Sequence, residues 1–289
     1  MKIEYSDELY PERLRELSNP PSRLYILGNL EILNNYGIAV IGSRHNTQYG
    51  EKMCKQFTKN LVEYGFNIIS GLAIGKDTIA HETCLKNSGK TIAVLPCGLK
   101  NIYPKSNAIL ANKILENDGI LLTEYEDNIT ADSNKFRERN RIVAGLGIGT
   151  LVVEAGERSG TNITARNTIE QGKTVFSIPS NLDNKKGKTT NNLIKNGCNL
   201  VTDINDILKQ YRDIKFTKRT ISKRDVCLDI PSELLEIYKV LNNDPKSIKD
   251  ISNETGMTIS EINYKLMMLE IENKIKELPG QTFVRNYDE

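Results

Sequence analysis

The sequence predicts an α/β protein with a doubly wound, mostly parallel sheet and a small winged-helix domain at its C-terminal end. Three observations carry this. From residue 37 to about 210, short β-branched runs alternate with helical segments, the pattern of parallel strands joined by crossover helices. Several runs, Ile38-Ala39-Val40-Ile41 and Leu151-Val152-Val153 among them, are continuously apolar, as strands buried on both faces are. The segment 231–289 reads as three helices followed by two short strands, the arrangement of a winged helix.

In chain order, residues 1–36 contain Tyr10-Pro11 and Pro20-Pro21 and are too short for a separate domain, so they are expected to be a lead-in packed on the sheet. Strands are expected at 37–41, 67–70, 91–95, 120–124, 150–154 and 174–178, with a short one at 200–202, all within a binding domain spanning 37–210. A basic linker at 211–230 follows. Helices are expected at 232–243, 247–255 and 258–273, the last carrying Ile259, Ile262, Leu266 and Leu269 at helical spacing. Strands 275–278 and 282–285, separated by Pro279-Gly280-Gln281, complete the domain at 231–289 as a hairpin.

Composition narrows the function classes. A length of 289 residues suits one large core and one small module. No apolar run approaches the roughly 18 residues needed to cross a bilayer, and the first residues carry no signal-peptide core, so a cytoplasmic protein is expected. The five cysteines are widely spaced, with no CxxC and no Cys/His pairing, which supports neither a disulfide scaffold nor a metal site. The net charge is +2, but residues 183–224 hold eleven Lys/Arg against four Asp, whereas 231–289 hold seven Lys/Arg against eleven Asp/Glu. The basic surface therefore belongs to the larger domain and the linker.

Open parallel sheets bind ligands beyond the carboxyl ends of their strands. Those ends are marked by Gly42-Ser43-Arg44, Ser70-Gly71, Pro96-Cys97-Gly98, Glu124 and Glu154-Ala155-Gly156. Gly42, Ser43 and Arg44 offer backbone amides, a hydroxyl and a cation ahead of a helix beginning near Tyr49. The stretch Phe136-Arg137-Glu138-Arg139-Asn140-Arg141 gathers three guanidinium groups, which bond phosphate with two donors at once. Arg139, Asn140 and Arg141 are read as a helix start, where the macrodipole disfavours cations unless a bound anion compensates. Ser159, Gly160 and Thr161 precede a further helix with hydroxyls and free amides. Lys185, Lys186 and Lys188 lie in a loop able to clamp a phosphate backbone. His81 is read as a hydrogen-bonded structural residue and Asp77 as a helix-start residue. Neither GxGxxG nor GxxxxGK[ST] occurs, so no dinucleotide or Walker site is indicated.

Together the segments IGSRHNTQYG, SGLAIGKDTIAH, AVLPCGLKNIYP, FRERNRIVAGL, VVEAGERSGTNITA and NNLIKNG resemble the DprA family, also called Smf, the DNA-processing protein of natural transformation. The likeness runs from about Tyr10 to Leu208, with a further likeness to that family's C-terminal winged helix. The resemblance implies an extended Rossmann fold and a homodimer that binds single-stranded DNA without sequence preference. It also implies loading of the RecA recombinase onto DNA coated by single-strand-binding protein, with no catalytic turnover and no cofactor. Carried over, the DNA pocket comprises Gly42, Ser43, Arg44, Arg139, Asn140, Arg141, Ser159, Gly160 and Thr161, with Lys173 and Lys188 as weaker members. Lys76 stands where the family usually has an aliphatic residue, Lys100 where it has an acid, Arg137 where it has a proline, and Ser180 and Thr189 where it has glycines. The added cations Lys76, Lys100 and Arg137 are expected to strengthen attraction for phosphate without reading bases.

A second reading is an enzyme of the nucleotide phosphoribohydrolase type, whose related Rossmann-like fold places a Gly-Thr turn and acidic residues at the comparable strand end. Here Asn162, Ile163 and Thr164 follow the turn, so the carboxylates that would stabilise an oxocarbenium-like centre are missing and Glu154 is the lone candidate. The expected recognition helix of the winged helix carries Glu261, Glu270 and Glu272 against Lys265, which favours contact with protein over contact with duplex DNA.

Overall fold

The computed structural model describes residues 1–156, 159–218, 230–231, 233–242 and 244–286. It divides into two compact units, Met1–Ile221 and Ser222–Glu289. Most of the expected basic linker, at 219–229, lies outside the described residues, as does Cys227; Cys54, Cys84, Cys97 and Cys198 are free thiols.

In the first unit the elements run β1 (Lys2–Glu4), α1 (Glu12–Arg15), β2 (Arg23–Gly28), β3 (Gly37–Ile41), α2 (Gln48–Glu63), β4 (Asn67–Ser70), α3 (Lys76–Lys86), β5 (Thr91–Val94), α4 (Ala108–Glu116) and β6 (Ile120–Thr123). There follow α5 (Ser133–Leu146), β7 (Gly149–Val152), α6 (Thr161–Glu170), β8 (Thr174–Ser177), α7 (Lys188–Lys195), β9 (Asn199–Leu200) and α8 (Ile204–Leu208). One nine-stranded sheet has the order β1-β2-β6-β5-β4-β3-β7-β8-β9. Strands β3 to β9 are parallel, while β1 and β2 pair antiparallel at the β6 edge. The strand order turns back between β3 and β7, and a sheet of this kind holds its ligand crevice at that switch point.

The alternation of side chains along each strand separates two cores. Ala39 and Ile41 of β3 pack with Leu14 of α1 and with Ile142, Val143 and Leu146 of α5. On the other face, Ile38 and Val40 pack with Phe57 and Leu61 of α2 and with Ile79 and Ala80 of α3. The lead-in does more than cover the sheet, since it supplies two strands and places Tyr10 in the core, its hydroxyl donating to Pro21 O at 2.7 Å. In β2 only Leu24 and Ile26 are buried, with Arg23, Tyr25 and Leu27 less so, because an antiparallel edge is half buried.

His81 of α3 is fully buried and exchanges a 2.7 Å hydrogen bond with Thr91 through Nδ1. Burial, with Arg139 adding to it, pulls its pKa from 6.5 down to about 3. The native state therefore holds a neutral imidazole that the unfolded chain protonates below about 6.5, so stability is full above that pH and is lost as the pH falls toward 3. Between pH 7 and pH 5 this group alone is expected to remove roughly 2 kcal/mol. Urea melts of the wild type and His81→Gln at both pH values check it: the variant should lose less, and an equal loss in both would contradict the assignment.

In the second unit, α9 (Leu235–Val240), β10 (Lys246–Ser247), α10 (Ile248–Thr255), α11 (Ile259–Ile271), β11 (Ile275–Leu278) and β12 (Thr282–Arg285) form a winged helix with sheet order β10-β12-β11. Of the expected helix at 232–243, only 235–240 is helical: 233–234 form a turn, 241–242 are not helical, and residues 232 and 243 lie outside the described residues. Capping boxes fix two helix starts, Ser247 with Asp250 and Thr258 with Glu261.

Candidate nucleic-acid interface

The crevice between the carboxyl ends of β3 and β7 is flanked by Gly42-Ser43-Arg44 on one side and by the turn Ser159-Gly160-Thr161 on the other. A buried ion pair lies beneath it. Lys76 Nζ is 3.0 Å from Glu154 Oε2 with neither side chain accessible to solvent, and the same amine donates to Asn46 Oδ1 at 3.1 Å. Glu154 Oε1 accepts from Thr47 Oγ1 at 2.7 Å and from Asn184 Nδ2 at 3.1 Å. Burial alone would push this carboxyl up, but the hydrogen bonds from Thr47, Asn184 and Lys76 outweigh it and hold the pKa below the usual carboxylate range. The expectation that Lys76 adds a cation for phosphate is therefore corrected: its charge is neutralised inside the fold. Lys100 lies 3.0 Å from Asp127, whereas Arg137 is exposed on α5.

The pair fixes the backbone above it. Ser43 N donates to Glu154 O at 2.6 Å, and Lys76 N donates to Ser43 O at 3.2 Å. A Cβ on Gly42 would stand 2.5 Å from Lys76 Cγ, so only glycine lets the strand end close over that side chain. Ser43 Oγ accepts from His45 N at 3.1 Å, and Arg44 is exposed with its guanidinium carbon 5.2 Å from the Phe136 ring centroid. Phe136 in turn packs edge-on with Tyr103 at 5.6 Å, and Tyr103 is 47% exposed. A cation and two aromatic rings thus share the rim.

The remaining expected residues separate. The helix does not begin at Arg139: α5 starts at Ser133, where Asp132 caps it by accepting from Asn134 N at 2.9 Å and Lys135 N at 3.0 Å. Arg139 and Arg141 lie well inside the helix, so the macrodipole argument for an anion there does not hold. Arg139 is buried and points into the sheet, donating from Nη1 to Gly71 O at 2.7 Å and to Val94 O. A Cβ at Gly71 would meet its guanidinium at 2.6 Å. Burial lowers the Arg139 pKa to about 10, opposed chiefly by the Asp77 charge, and Asp77 Oδ2 accepts from Gly71 N at 3.1 Å. Arg139 thus ties the ends of β4 and β5 to α5 and is withdrawn from direct phosphate contact. Asn140, half-buried, accepts from Arg139 Nε at 3.3 Å.

Arg141 Nη2 contacts Glu124 Oε2 at 2.5 Å, so much of its charge is answered within the fold. Lys173 precedes β8 and therefore sits at the opposite, amino edge of the parallel sheet. Its amine donates to Ala144 O at 3.3 Å and Gly145 O at 2.6 Å, and Arg13 Nε donates to Leu146 O at 3.0 Å. Together they cap the carboxyl end of α5, and burial lowers the Lys173 pKa to about 8. Its place in the pocket is withdrawn.

Across the crevice, Ser159 Oγ donates to Thr161 Oγ1 at 2.7 Å and accepts from Thr161 N at 3.2 Å, while Gly160 is exposed with nothing within 4 Å of the position a Cβ would take. Lys188 opens α7, exposed, and the next residue is tied to the β7 end: Thr189 N donates to Ala155 O at 3.0 Å and Thr189 Oγ1 to Gly156 O at 2.9 Å. Gly42, Ser43, Arg44, Ser159, Gly160, Thr161 and Lys188 therefore all lie past the carboxyl ends of the neighbouring strands β3, β7 and β8. Sequence reasoning missed the support beneath it, Thr47, Asn184 and the neutralising role of Lys76. Among the described residues no group of three or more His, Cys, Asp or Glu is placed to hold a metal ion, and no helix is long and apolar enough to cross a membrane.

The sequence model of a family described as DNA recombination-mediator protein A matches residues 2–212, and that of the DprA winged helix domain matches residues 230–281. The chain belongs to the DprA family. It is 34% identical over 289 residues to the protein Smf of Escherichia coli strain K12, with 96% of this chain and 75% of that protein covered. The X-ray structure of DprA from Streptococcus pneumoniae superposes with a TM-score of 0.70 at 38% identity, covering 75% of each chain. DprA from Helicobacter pylori, whose structure was reported for its single-stranded DNA binding mode, gives a TM-score of 0.66 at 29% identity, covering 74% of this chain and 96% of that one.

Proposed function

We propose that this DprA family member binds single-stranded DNA without sequence preference along the β3–β7 crevice. The carrying observation is the exposed Arg44 guanidinium lying over Phe136 at the mouth of that crevice. A cation attracts phosphate whatever the sequence, and an aromatic face stacks on any base. The exposed Gly160 and Lys188 supply further phosphate contacts, while the Ser159 and Thr161 amides are already bonded within the turn. The single-stranded DNA binding reported for the Helicobacter pylori relative supports the same ligand. Loading of RecA, exchange with single-strand-binding protein, a homodimer, a cytoplasmic location and a role in transformation follow from the family resemblance and belong to the same proposal.

The enzymatic reading ranks second, because its lone carboxylate, Glu154, is buried and neutralised by Lys76. The winged helix is assigned to protein contact: α11 exposes Ile259, Tyr264, Met267 and Ile271 among its glutamates, a poor surface for phosphate. In fluorescence-anisotropy titrations with oligothymidylate, Arg44→Ala should weaken binding about tenfold, on all sequences alike and with melting unchanged. Removing residues 231–289 should leave that affinity in place. Unchanged binding in Arg44→Ala would refute the pocket, and loss on truncation would move the DNA contact into the winged helix.

A further inference from the structure

One strand beyond the crevice, past the carboxyl end of β8, the surface opens into a cavity of about 300 Å3 lined by Tyr49, Pro179, Ser180, Asn181 and Asn184. That is the lower end of the roughly 300–1,000 Å3 typical of small-molecule sites. Tyr49, in the first turn of α2, is 42% exposed, yet its hydroxyl donates to Pro179 O at 2.7 Å. The ring is therefore held at its far end while part of its surface stays open. Asn184 Nδ2 donates to Glu154 Oε1 at 3.1 Å and to Ser180 Oγ at 2.9 Å, and its Oδ1 accepts from Lys186 N at 3.0 Å. Its amide is thus committed to fixing the loop onto the buried ion pair. Asn181 holds that turn through its backbone carbonyl, which accepts from Asn184 N at 3.1 Å, and its own carboxamide has no protein partner among the described residues. Lys185 and Lys186 are exposed on the same loop.

A fixed aromatic ring beside an uncommitted carboxamide is the chemistry that receives a nucleobase: the ring stacks, the amide offers both a donor and an acceptor to the base edge, and neighbouring lysines meet the phosphates. Charge favours a nucleic-acid strand here, since Lys185 and Lys186 outnumber the one acid of the loop, Asp183, and the buried Glu154 beneath it is already paired with Lys76. We propose that this cavity is a base subsite, taking one unpaired base of the same DNA strand whose phosphates pass Arg44, five residues before Tyr49. The proposal rests on the single-stranded DNA reading above and adds a second contact point to it.

The test uses the full chain and oligothymidylate in which one base is 5-iodouracil, a photoreactive analogue that couples to adjacent aromatic rings. Irradiation followed by peptide mapping should place an adduct on Tyr49. Tyr49→Leu should lose the adduct and weaken binding about tenfold, Tyr49→Phe should retain most of the affinity, and Asn181→Ala, at an exposed position, should weaken binding without altering the melt. Adducts confined to Tyr103 or Phe136, with Tyr49→Leu binding as the wild type does and Arg44→Ala impaired, would overturn the subsite and leave the strand-binding reading intact. Equal labelling of Tyr49 by free 5-iododeoxyuridine monophosphate at the same concentration would overturn it in favour of a mononucleotide site. Failure of the wild type to bind the oligonucleotide would remove both readings.

Discussion

Replacing Arg139 with methionine is expected to destabilise the fold by about 3–5 kcal/mol, the range for breaking a buried charged network by removing one partner. The change leaves Gly71 O and Val94 O without their donor and Asp77 without its neighbouring cation. Burial already pushes the Asp77 carboxyl upward, with Arg139 the largest opposing influence, so the variant should also raise that pKa further. Urea melts measure the loss. The folded fraction should still bind single-stranded DNA, because this guanidinium faces inward. A variant that melts like the wild type but has lost DNA binding would return Arg139 to the surface role and overturn its assignment.

The second large effect is expected at Lys76. Lys76→Met strands the Glu154 carboxylate in a site without solvent and should again cost about 3–5 kcal/mol. Adding Glu154→Gln removes the stranded charge while an amide oxygen can still accept from Thr47 and Asn184. The double variant should therefore recover much of the loss, with a coupling of about 2 kcal/mol across the cycle. Additive losses would mean that the two groups do not act as a pair. Because Thr47 and Asn184 are both anchored on Glu154, Lys76→Met should also loosen the loops on either side of the crevice.

The sheet was legible because its central strands are continuous β-branched runs, and a parallel strand buried on both faces needs such a run. The turns after β3 and β7 were legible for a related reason: small residues and hydroxyls at strand ends mark places where a chain leaving a parallel strand must turn. The direction of a charged side chain was harder to read. Charge, an expected helix start and the family resemblance all point Arg139 at a ligand, yet it lies on one helical stripe with Ile142, Val143 and Leu146, all buried. Lys76 likewise shares the buried stripe of Ile79, Ala80, Thr83 and Cys84. A cation at i, i+3 and i+4 spacing from apolar residues is a sign of an inward guanidinium or amine, and it was available in the sequence. What pairs with that cation was not, because Glu154 and Lys76 meet only when β7 and α3 are brought together by the strand order. Lys173 was misplaced for a topological reason, since a residue before a parallel strand sits at the edge opposite the ligand.

Titrating the protein with a single-stranded oligonucleotide and with its duplex over a series of salt concentrations decides whether unpaired DNA is the ligand. The single strand should bind more tightly at every concentration, with an affinity that falls linearly with salt on logarithmic axes and a slope shallower by about one in Arg44→Ala. Equal or stronger binding of the duplex, or an affinity and slope unmoved in Arg44→Ala, would contradict that reading.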